Sequence, residues 1–228
     1  MHGLFVTGTD TGVGKSVLGA ALVAAIAAGG ERVRAFKPVV TGLEEPAGAD
    51  GWPADHVLLG AAAGMSAEAV SPLRFGPAVS PHLAAELAGE PIEPERLLAA
   101  AMVQDEPGET LIVEGVGGLL VPLSEDYSVR DLAVALGLPL LIAARPGLGT
   151  INHTLLTLQA ARAAGLDVRA VVLTPWPERP SVMESSNRQT IARLGAVEVQ
   201  TLGRVAGPDP SELARAGGEL PWREWLRP

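Results

Sequence analysis

The stretch GTDTGVGKS, residues 8–16, constrains the fold of this chain more than any other. A short apolar run (residues 3–7) precedes it, and an apolar run of helical length (residues 17–26) follows it. A strand, a glycine-rich turn, a lysine and a hydroxyl residue at the start of a helix together form a phosphate-binding loop. The strict pattern places a glycine at the position of Thr9, and Gly8 lies one residue early. The physical components nevertheless predict a P-loop.

Two other interpretations of this stretch are an ordinary glycine-rich turn and a dinucleotide-binding loop. The dinucleotide loop needs a third glycine, and Val17 occupies that position. In a P-loop, the backbone N–H groups of residues 12–16 point at an anion, and the helix N-terminus adds about half a positive charge. We expect Lys15 to reach the β- and γ-phosphates and the Ser16 hydroxyl to bind Mg²⁺.

Short β-branched runs alternate with alanine- and leucine-rich segments along the chain. This alternation predicts an α/β fold of the P-loop NTPase type, a mostly parallel sheet with helices on both faces, in one domain over residues 1–228. Loops are predicted at 41–54 and 174–180. Strands are predicted at 3–8, 32–36, 110–114, 139–143, 168–173 and 199–202. Helices are predicted at 15–28, 54–63, 78–88, 93–104, 128–136, 150–163, 181–193 and 210–216.

The net charge of −9 argues against a nucleic-acid partner and against docking on anionic lipid, because both require clustered basic residues. The chain has no cysteine, which excludes thiolate metal sites and thiol nucleophiles. The N-terminal apolar run is too short for a signal peptide, and the longest near-apolar stretch, residues 17–30, is shorter than a membrane span. We therefore expect a cytoplasmic protein with no membrane partner.

Among the basic residues are fifteen arginines but only two lysines, Lys15 and Lys37. Lysine carries a compact charge, and its pKa shifts readily on burial, whereas arginine carries a rigid, planar guanidinium group. Both lysines lie at the carboxyl ends of predicted strands, where ligands collect in parallel sheets. The pair therefore has either a functional role or no significance, since two lysines could also occur by chance in an arginine-biased composition.

Two acidic residues are candidate Mg²⁺ ligands beside the phosphates. Glu114 ends a predicted buried strand, and the glycines that follow it leave space for a metal. The alternative for Glu114 is an edge position before a flexible turn. Asp55 opens a predicted helix, where a simple N-cap would look the same.

Five motifs together resemble the dethiobiotin synthetases, ATP-dependent carboxylases of the biotin pathway. They are GTDTGVGKS, KPVVTG at 37–42, SPH at 80–82, VEGVGG at 113–118 and LGTINH at 148–153, and they occur in that family's order. The resemblance spans about residues 3–205, and the C-terminal tail matches poorly.

The resemblance implies a reaction. CO₂ and 7,8-diaminononanoate form a carbamate, which attacks the γ-phosphate of a nucleoside triphosphate, and the second amine closes a cyclic urea on the resulting anhydride. It implies that Lys15 and Lys37 are catalytic, and that the metal ligands are Ser16, Asp55 and Glu114. It also implies a homodimer in which the substrate carboxylate is bound by the neighbouring subunit.

The remaining expected site residues follow from the same reasoning. The expected nucleotide-binding residues are Gly12, Val13, Gly14, Lys15, Ser16, Val17, Asp55, Glu114, Gly115, Val116, Gly117, Thr174, Pro175, Arg204, Val205 and Ala206. The expected substrate-binding residues are Lys37, Thr41, Gly149, Thr150, Ile151 and Asn152.

Two departures from the family pattern concern the nucleotide base. The family has Asn-Asp after the strand at 168–173, where this chain has Thr174 and Pro175, and the loop 202–206 differs from the usual Gly-Glu-Ile-Pro. An amide side chain offers a donor and an acceptor to an adenine edge, and threonine offers less. ATP is the expected nucleotide, but we hypothesise that selectivity for it is weakened.

Other classes of protein use similar loops. Partition and septum-positioning ATPases carry an additional lysine where this chain has Asp10. Cobyrinate-type amidases need a cysteine nucleophile, which this chain does not contain. A nucleotide-binding module without catalysis would need neither Lys37 nor Glu114 beside the phosphate.

Overall fold

The computed structural model describes residues 1–45, 51–103 and 108–227. The main-sheet strands are β1 (Gly3–Gly8), β2 (Val33–Phe36), β5 (Thr110–Glu114), β8 (Leu140–Ala144), β9 (Val168–Trp176) and β10 (Glu198–Gly203). Short strand pairs are formed by β3 (Val39–Val40) with β4 (Leu73–Arg74), and by β6 (Pro122–Ser124) with β7 (Tyr127–Ser128). The helices are α1 (Lys15–Ala28), α2 (Asp55–Ala63), α3 (Ala67–Val70), α4 (Pro81–Ala88), α5 (Pro94–Met102), α6 (Val129–Leu136), α7 (Thr150–Ala163), α8 (Val182–Gly195), α9 (Pro210–Gly218) and α10 (Trp222–Trp225).

The six long strands form one parallel sheet in the order β10-β9-β8-β1-β5-β2. Alternate residues of a strand face opposite sides, so Phe5 joins one hydrophobic core while Leu4 and Val6 join the other. Helices α1, α2 and α9 contribute to the second core, and α4 to α8 to the first. The predicted fold class, a mostly parallel sheet with helices on both faces, is confirmed.

The predicted long elements all occur, with ends shifted by a few residues. The loop predicted at 174–180 is wrong over its first three residues, because β9 continues to Trp176, where it pairs with Gly203 of β10. Within the predicted loop 41–54, residues 46–50 lie outside the described part of the chain, as does residue 104 of the helix predicted at 93–104. Strand β3, inside the KPVVTG motif, was not predicted.

The order of the strands determines where polar groups meet. Strand β1 lies between β5 and β8, so the loops after these three strands converge at one edge of the sheet. The C-terminal segment packs on α1 through α9, and its Trp222 and Trp225 are buried in the same hydrophobic core. In the part of the chain that the structure describes, every helix is too short or too polar to cross a membrane.

Candidate active site

The glycine-rich loop connects β1 to α1 in a conformation that requires glycine. Gly12 has φ of 69° and Gly14 has φ of 92°, both in the left-handed region. A Cβ on Gly14 would lie 2.7 Å from the Thr174 methyl carbon, so the loop also packs closely on β9. Gly14 is the N-cap of α1 and has no side chain to cap it, which leaves the first-turn N–H groups to an anionic ligand.

Lys15 and Lys37 line one cavity of about 600 Å³ at the carboxyl edge of the sheet. Lys15 is buried, and its Nζ donates a hydrogen bond of 2.8 Å to the Asp10 carbonyl oxygen. Burial, followed by the neighbouring Lys37 charge, lowers the pKa of Lys15 to about 8. The structure therefore places the chain's two ammonium groups at one cavity, where an anion would relieve their mutual repulsion.

Lys37 lies between the two acidic residues. Its Nζ donates to Asp55 Oδ2 at 2.8 Å, to Glu114 Oε1 at 2.5 Å and to the Gly115 carbonyl oxygen at 3.1 Å. Burial disfavours the charged lysine, but the Asp55 and Glu114 charges outweigh it and hold the pKa of Lys37 above its usual value. Three acceptors thus fix the direction of this ammonium group.

Ser16 completes the acidic cluster. Its Oγ lies 2.6 Å from Asp55 Oδ1 and 2.9 Å from Glu114 Oε1, and the hydroxyl donates to one of them at a time. Burial alone would raise the pKa of Asp55, but Lys37 and then Ser16 lower it to about 2. Asp55 is the first residue of α2, and Ala54 is the N-cap, so the simple N-cap interpretation does not hold.

These oxygens fit Mg²⁺. Two carboxylates and a hydroxyl converge, and Oε2 of the fully buried Glu114 has no hydrogen-bond partner in the structure. Across the described residues no group of three or more His, Cys, Asp or Glu side chains could hold a metal alone. That is consistent with Mg²⁺, which takes one or two carboxylates and completes its octahedron with phosphate oxygens and water.

The rest of the first cavity is mainly apolar, with a few hydroxyl groups. Thr41 and Ser80 supply hydroxyl groups outside the P-loop. The apolar and backbone lining comes from Val39, Val40, Ala78, Val79, Pro81, Val116, Gly117 and Val121. Such a lining suits an aliphatic ligand with polar groups at the lysine end.

A second cavity of about 340 Å³ adjoins the first. The two share Gly12, Gly14, Ser16 and Asp55, so an elongated ligand crossing the P-loop would occupy both. The remaining lining residues are Val17, Trp52, Pro53, Leu58, Thr174, Pro175, Gly203, Arg204 and Val205. Among these are the residues expected at the nucleotide base.

Some expected site residues lie elsewhere. Val13 is buried behind the loop, and Ala206 is exposed and lines neither cavity. Residues 149–152, which were expected to bind the substrate, lie at the start of α7 and do not line the cavity that contains the lysines. They therefore take no part in this site within one chain.

Sequence reasoning also overlooked several lining residues. Trp52 lies in a segment without periodic patterning, so no signal distinguished it from an ordinary loop residue. Ser80 and Pro81 belong to a recognised motif but had been given no role, although they line the lysine cavity. The motif itself was the signal that could have placed them.

The fold and site define a P-loop nucleotide-dependent protein. Residues 2–210 match a family model described as an AAA domain. A ParA family ATPase from Chlorobium tepidum TLS is similar in structure, with a TM-score of 0.50, 14% identity, and 99% of this chain and 94% of that chain covered. At that identity the likeness concerns the fold alone.

Relatives at higher identity are more specific. The chain is 39% identical to the ATP-dependent dethiobiotin synthetase BioD of Mycobacterium sp. (strain KMS), covering 99% of this chain and 98% of the relative. It is 43% identical to that of Anaeromyxobacter dehalogenans (strain 2CP-1), covering 96% and 97%, and 37% identical to that of Bacillus subtilis (strain 168), covering 87% and 85%. The chain belongs to the ATP-dependent dethiobiotin synthetase family. The family resemblance is confirmed, and the mycobacterial alignment extends beyond residue 205 into the tail.

Proposed function

We propose that this protein, acting as a single P-loop domain, makes dethiobiotin from 7,8-diaminononanoate, CO₂ and a nucleoside triphosphate. One amine and CO₂ form a carbamate, whose oxygen attacks the γ-phosphate and releases the nucleoside diphosphate. The second amine then attacks the carbonyl carbon of the carbamic–phosphoric anhydride. The C–O bond breaks, phosphate leaves and the cyclic urea closes. Family membership supports this assignment, since the relatives are named for this synthetase activity.

The observation that carries the proposal is the shared position of Lys15 and Lys37 at one cavity. The reaction brings an anionic carbamate to an anionic phosphate, and two like charges 4 Å apart repel by about 4 kcal/mol at an effective dielectric of 20. Two ammonium groups offset this repulsion and stabilise charge on the transferring phosphoryl group. Lys37 is held in place by its acidic partners, and Lys15 is buried among the P-loop residues.

Each residue then has a physical role. The N–H groups of the P-loop and the start of α1 bind the phosphates, and Lys15 exchanges the Asp10 carbonyl for a phosphate oxygen. Ser16, Asp55 and Glu114 would hold Mg²⁺, which when bound neutralises phosphate charge. Thr41 and Ser80 donate to or accept from the polar end of the diamine, while the valines of the cavity pack on its aliphatic chain.

The binding of the nucleotide divides between the two cavities. The triphosphate lies along the shared P-loop residues, and the base enters the cavity of Thr174, Pro175, Arg204 and Val205. ATP is the nucleotide in the names of the relatives. Because Thr174 faces Gly14 with its methyl group and Pro175 lacks an N–H, this site offers an adenine edge fewer hydrogen bonds than an Asn-Asp pair would.

The assembly that suits this chemistry is a cytoplasmic homodimer. Residues 149–152 do not line the lysine cavity of their own chain. They lie at the start of α7, and a helix N-terminus favours an anion, so this position suits the carboxylate of a diamine bound by the neighbouring subunit. The substrate site is then shared across subunits.

Incorporation of labelled bicarbonate into an acid-stable product tests the reaction. The product should form only when both the diamine and a nucleoside triphosphate are present, with one diphosphate released per product. Nucleotide hydrolysis without labelled product would contradict the synthetase assignment and favour a partition-type ATPase. Binding without turnover would favour a non-catalytic module.

A further inference from the structure

Trp52 is an aromatic residue in the wall of the second cavity. It lies in the segment before α2, is half-buried, and packs against the hydrophobic core of the α1 face. The same cavity is lined on its apolar sides by Val17, Leu58 and Val205. Trp52 is thus the one aromatic side chain among the described residues that line this pocket.

The chemistry of this pocket is that of a stacking site. Ser16 and Asp55 are the polar side chains that this pocket shares with the lysine cavity. Away from that shared part the polar side chains are Thr174 and Arg204, and the Thr174 methyl group lies close to Gly14. A pocket with an indole wall and few hydrogen-bonding side chains recognises a flat ring through its face more than through its edge. The pocket opens onto the P-loop through Gly12, Gly14 and Ser16, so the ring it accepts is attached to a phosphate chain.

We propose that Trp52 stacks on the base of the bound nucleoside triphosphate and supplies much of the affinity for the nucleoside part. The proposal deepens the proposed function and rests on it only in placing a nucleotide at the P-loop. Stacking depends little on base identity because every base has an aromatic face. Trp52 therefore gives the enzyme affinity for the base without selecting strongly among bases.

A ligand with the phosphates but without the base provides the sharpest test. MgATP and magnesium tripolyphosphate are titrated calorimetrically into the full chain, its Trp52→Ala and Trp52→Phe variants, and the matched control Trp176→Phe. Trp176 is also half-buried but packs on the opposite core and does not line the pocket. Trp52→Ala should weaken MgATP binding about five- to a hundred-fold and leave tripolyphosphate binding within about two-fold. Trp52→Phe, which keeps an aromatic face, should lose much less.

Tryptophan fluorescence gives a second readout that does not depend on the alanine variant folding. MgATP should quench the emission of the wild-type protein and of Trp176→Phe, and the quenching should disappear in Trp52→Phe. Equal weakening of both ligands in Trp52→Ala, unchanged MgATP affinity, or full quenching in Trp52→Phe would each overturn the proposal. A wild-type protein that binds MgATP in a Trp52-dependent manner but forms no labelled urea would refute the synthetase reaction and leave this inference standing.

Discussion

Lys37 Nζ lies 2.5 Å from Glu114 Oε1, and the two side chains are 3% and 0% exposed. Removing one partner of a buried ion pair destabilises the protein, because the remaining charge stays unpaired in a low-dielectric environment. Asp55, which is half-exposed and lines the cavity, is also bonded to Lys37. The pair is therefore structural, and of its two members Lys37 lines the ligand cavity.

We expect Lys37→Ala to abolish measurable turnover while MgATP binding stays within a few-fold of wild type, because the P-loop contacts are retained. The variant should also lose about 3 kcal/mol of unfolding free energy through the unpaired Glu114. Labelled-bicarbonate turnover, calorimetric titration and urea unfolding measure the three effects. Normal turnover would contradict the role of Lys37.

A double variant, Lys37→Met with Glu114→Gln, separates stability from catalysis. Both charges are replaced by neutral groups of similar size, so most of the lost stability should return. Turnover should remain absent, since neither the ammonium group nor the metal carboxylate is restored. Recovery of turnover together with stability would mean that the pair acts only as a structural element.

The main sheet could be predicted because each long strand is a continuous apolar run, as expected for strands covered on both faces. The end of β9 could not, since three prolines after Leu173 argue locally for a loop. It is the parallel partner that extends the strand, through the pairing of Gly203 with Trp176. Such pairing depends on contacts distant in sequence, which a local pattern does not contain.

The candidate site could likewise be predicted only in part. Lys15, Ser16 and Glu114 could be placed because strand ends meet at one edge of a parallel sheet. That Lys37 binds both acidic residues follows from side-chain geometry, which strand order alone does not specify. Trp52 could not be placed, because it reaches the second cavity from a loop whose path depends on tertiary packing.

Ser16→Ala should raise the Mg²⁺ concentration required for half-maximal turnover by about ten-fold at fixed nucleotide. The substitution removes one of the three oxygens that converge at the proposed metal position. Ser16→Thr keeps the hydroxyl and is the matched control, which should stay close to wild type. The measurement is turnover as a function of Mg²⁺, supported by Mn²⁺ binding in the presence of ADP. An unchanged Mg²⁺ requirement in Ser16→Ala would exclude Ser16 as a ligand.

When ATP, GTP and CTP compete in one turnover mixture, we expect their kcat/KM values to differ by no more than about ten-fold. Thr174 and Pro175 line the base cavity and present few groups that distinguish base edges. Replacing the pair as Thr174→Asn and Pro175→Asp should increase the preference for ATP. A wild-type preference for ATP above a hundred-fold would be inconsistent with weakened selectivity.

Lys15→Met should stabilise the nucleotide-free protein at pH 7 by about 2–3 kcal/mol. Burial and the Lys37 charge lower the pKa of Lys15 from 10.5 to about 8, so holding its charge in the folded state is unfavourable below pH 8. Between about pH 8 and 10.5 the unfolded chain retains the proton that the folded protein has released. The Lys15 contribution to stability therefore becomes more favourable as pH rises through this window.

Urea unfolding without nucleotide at pH 7 and pH 9.5 measures this contribution. The stability advantage of Lys15→Met over wild type should be largest at pH 7 and smaller at pH 9.5, where wild-type Lys15 is mostly neutral. Lys15→Arg, which keeps the charge at both pH values, should gain no such advantage. A Lys15→Met protein less stable than wild type at pH 7 would show that the ammonium group stabilises the empty P-loop, and that its burial carries no cost that phosphate binding could relieve.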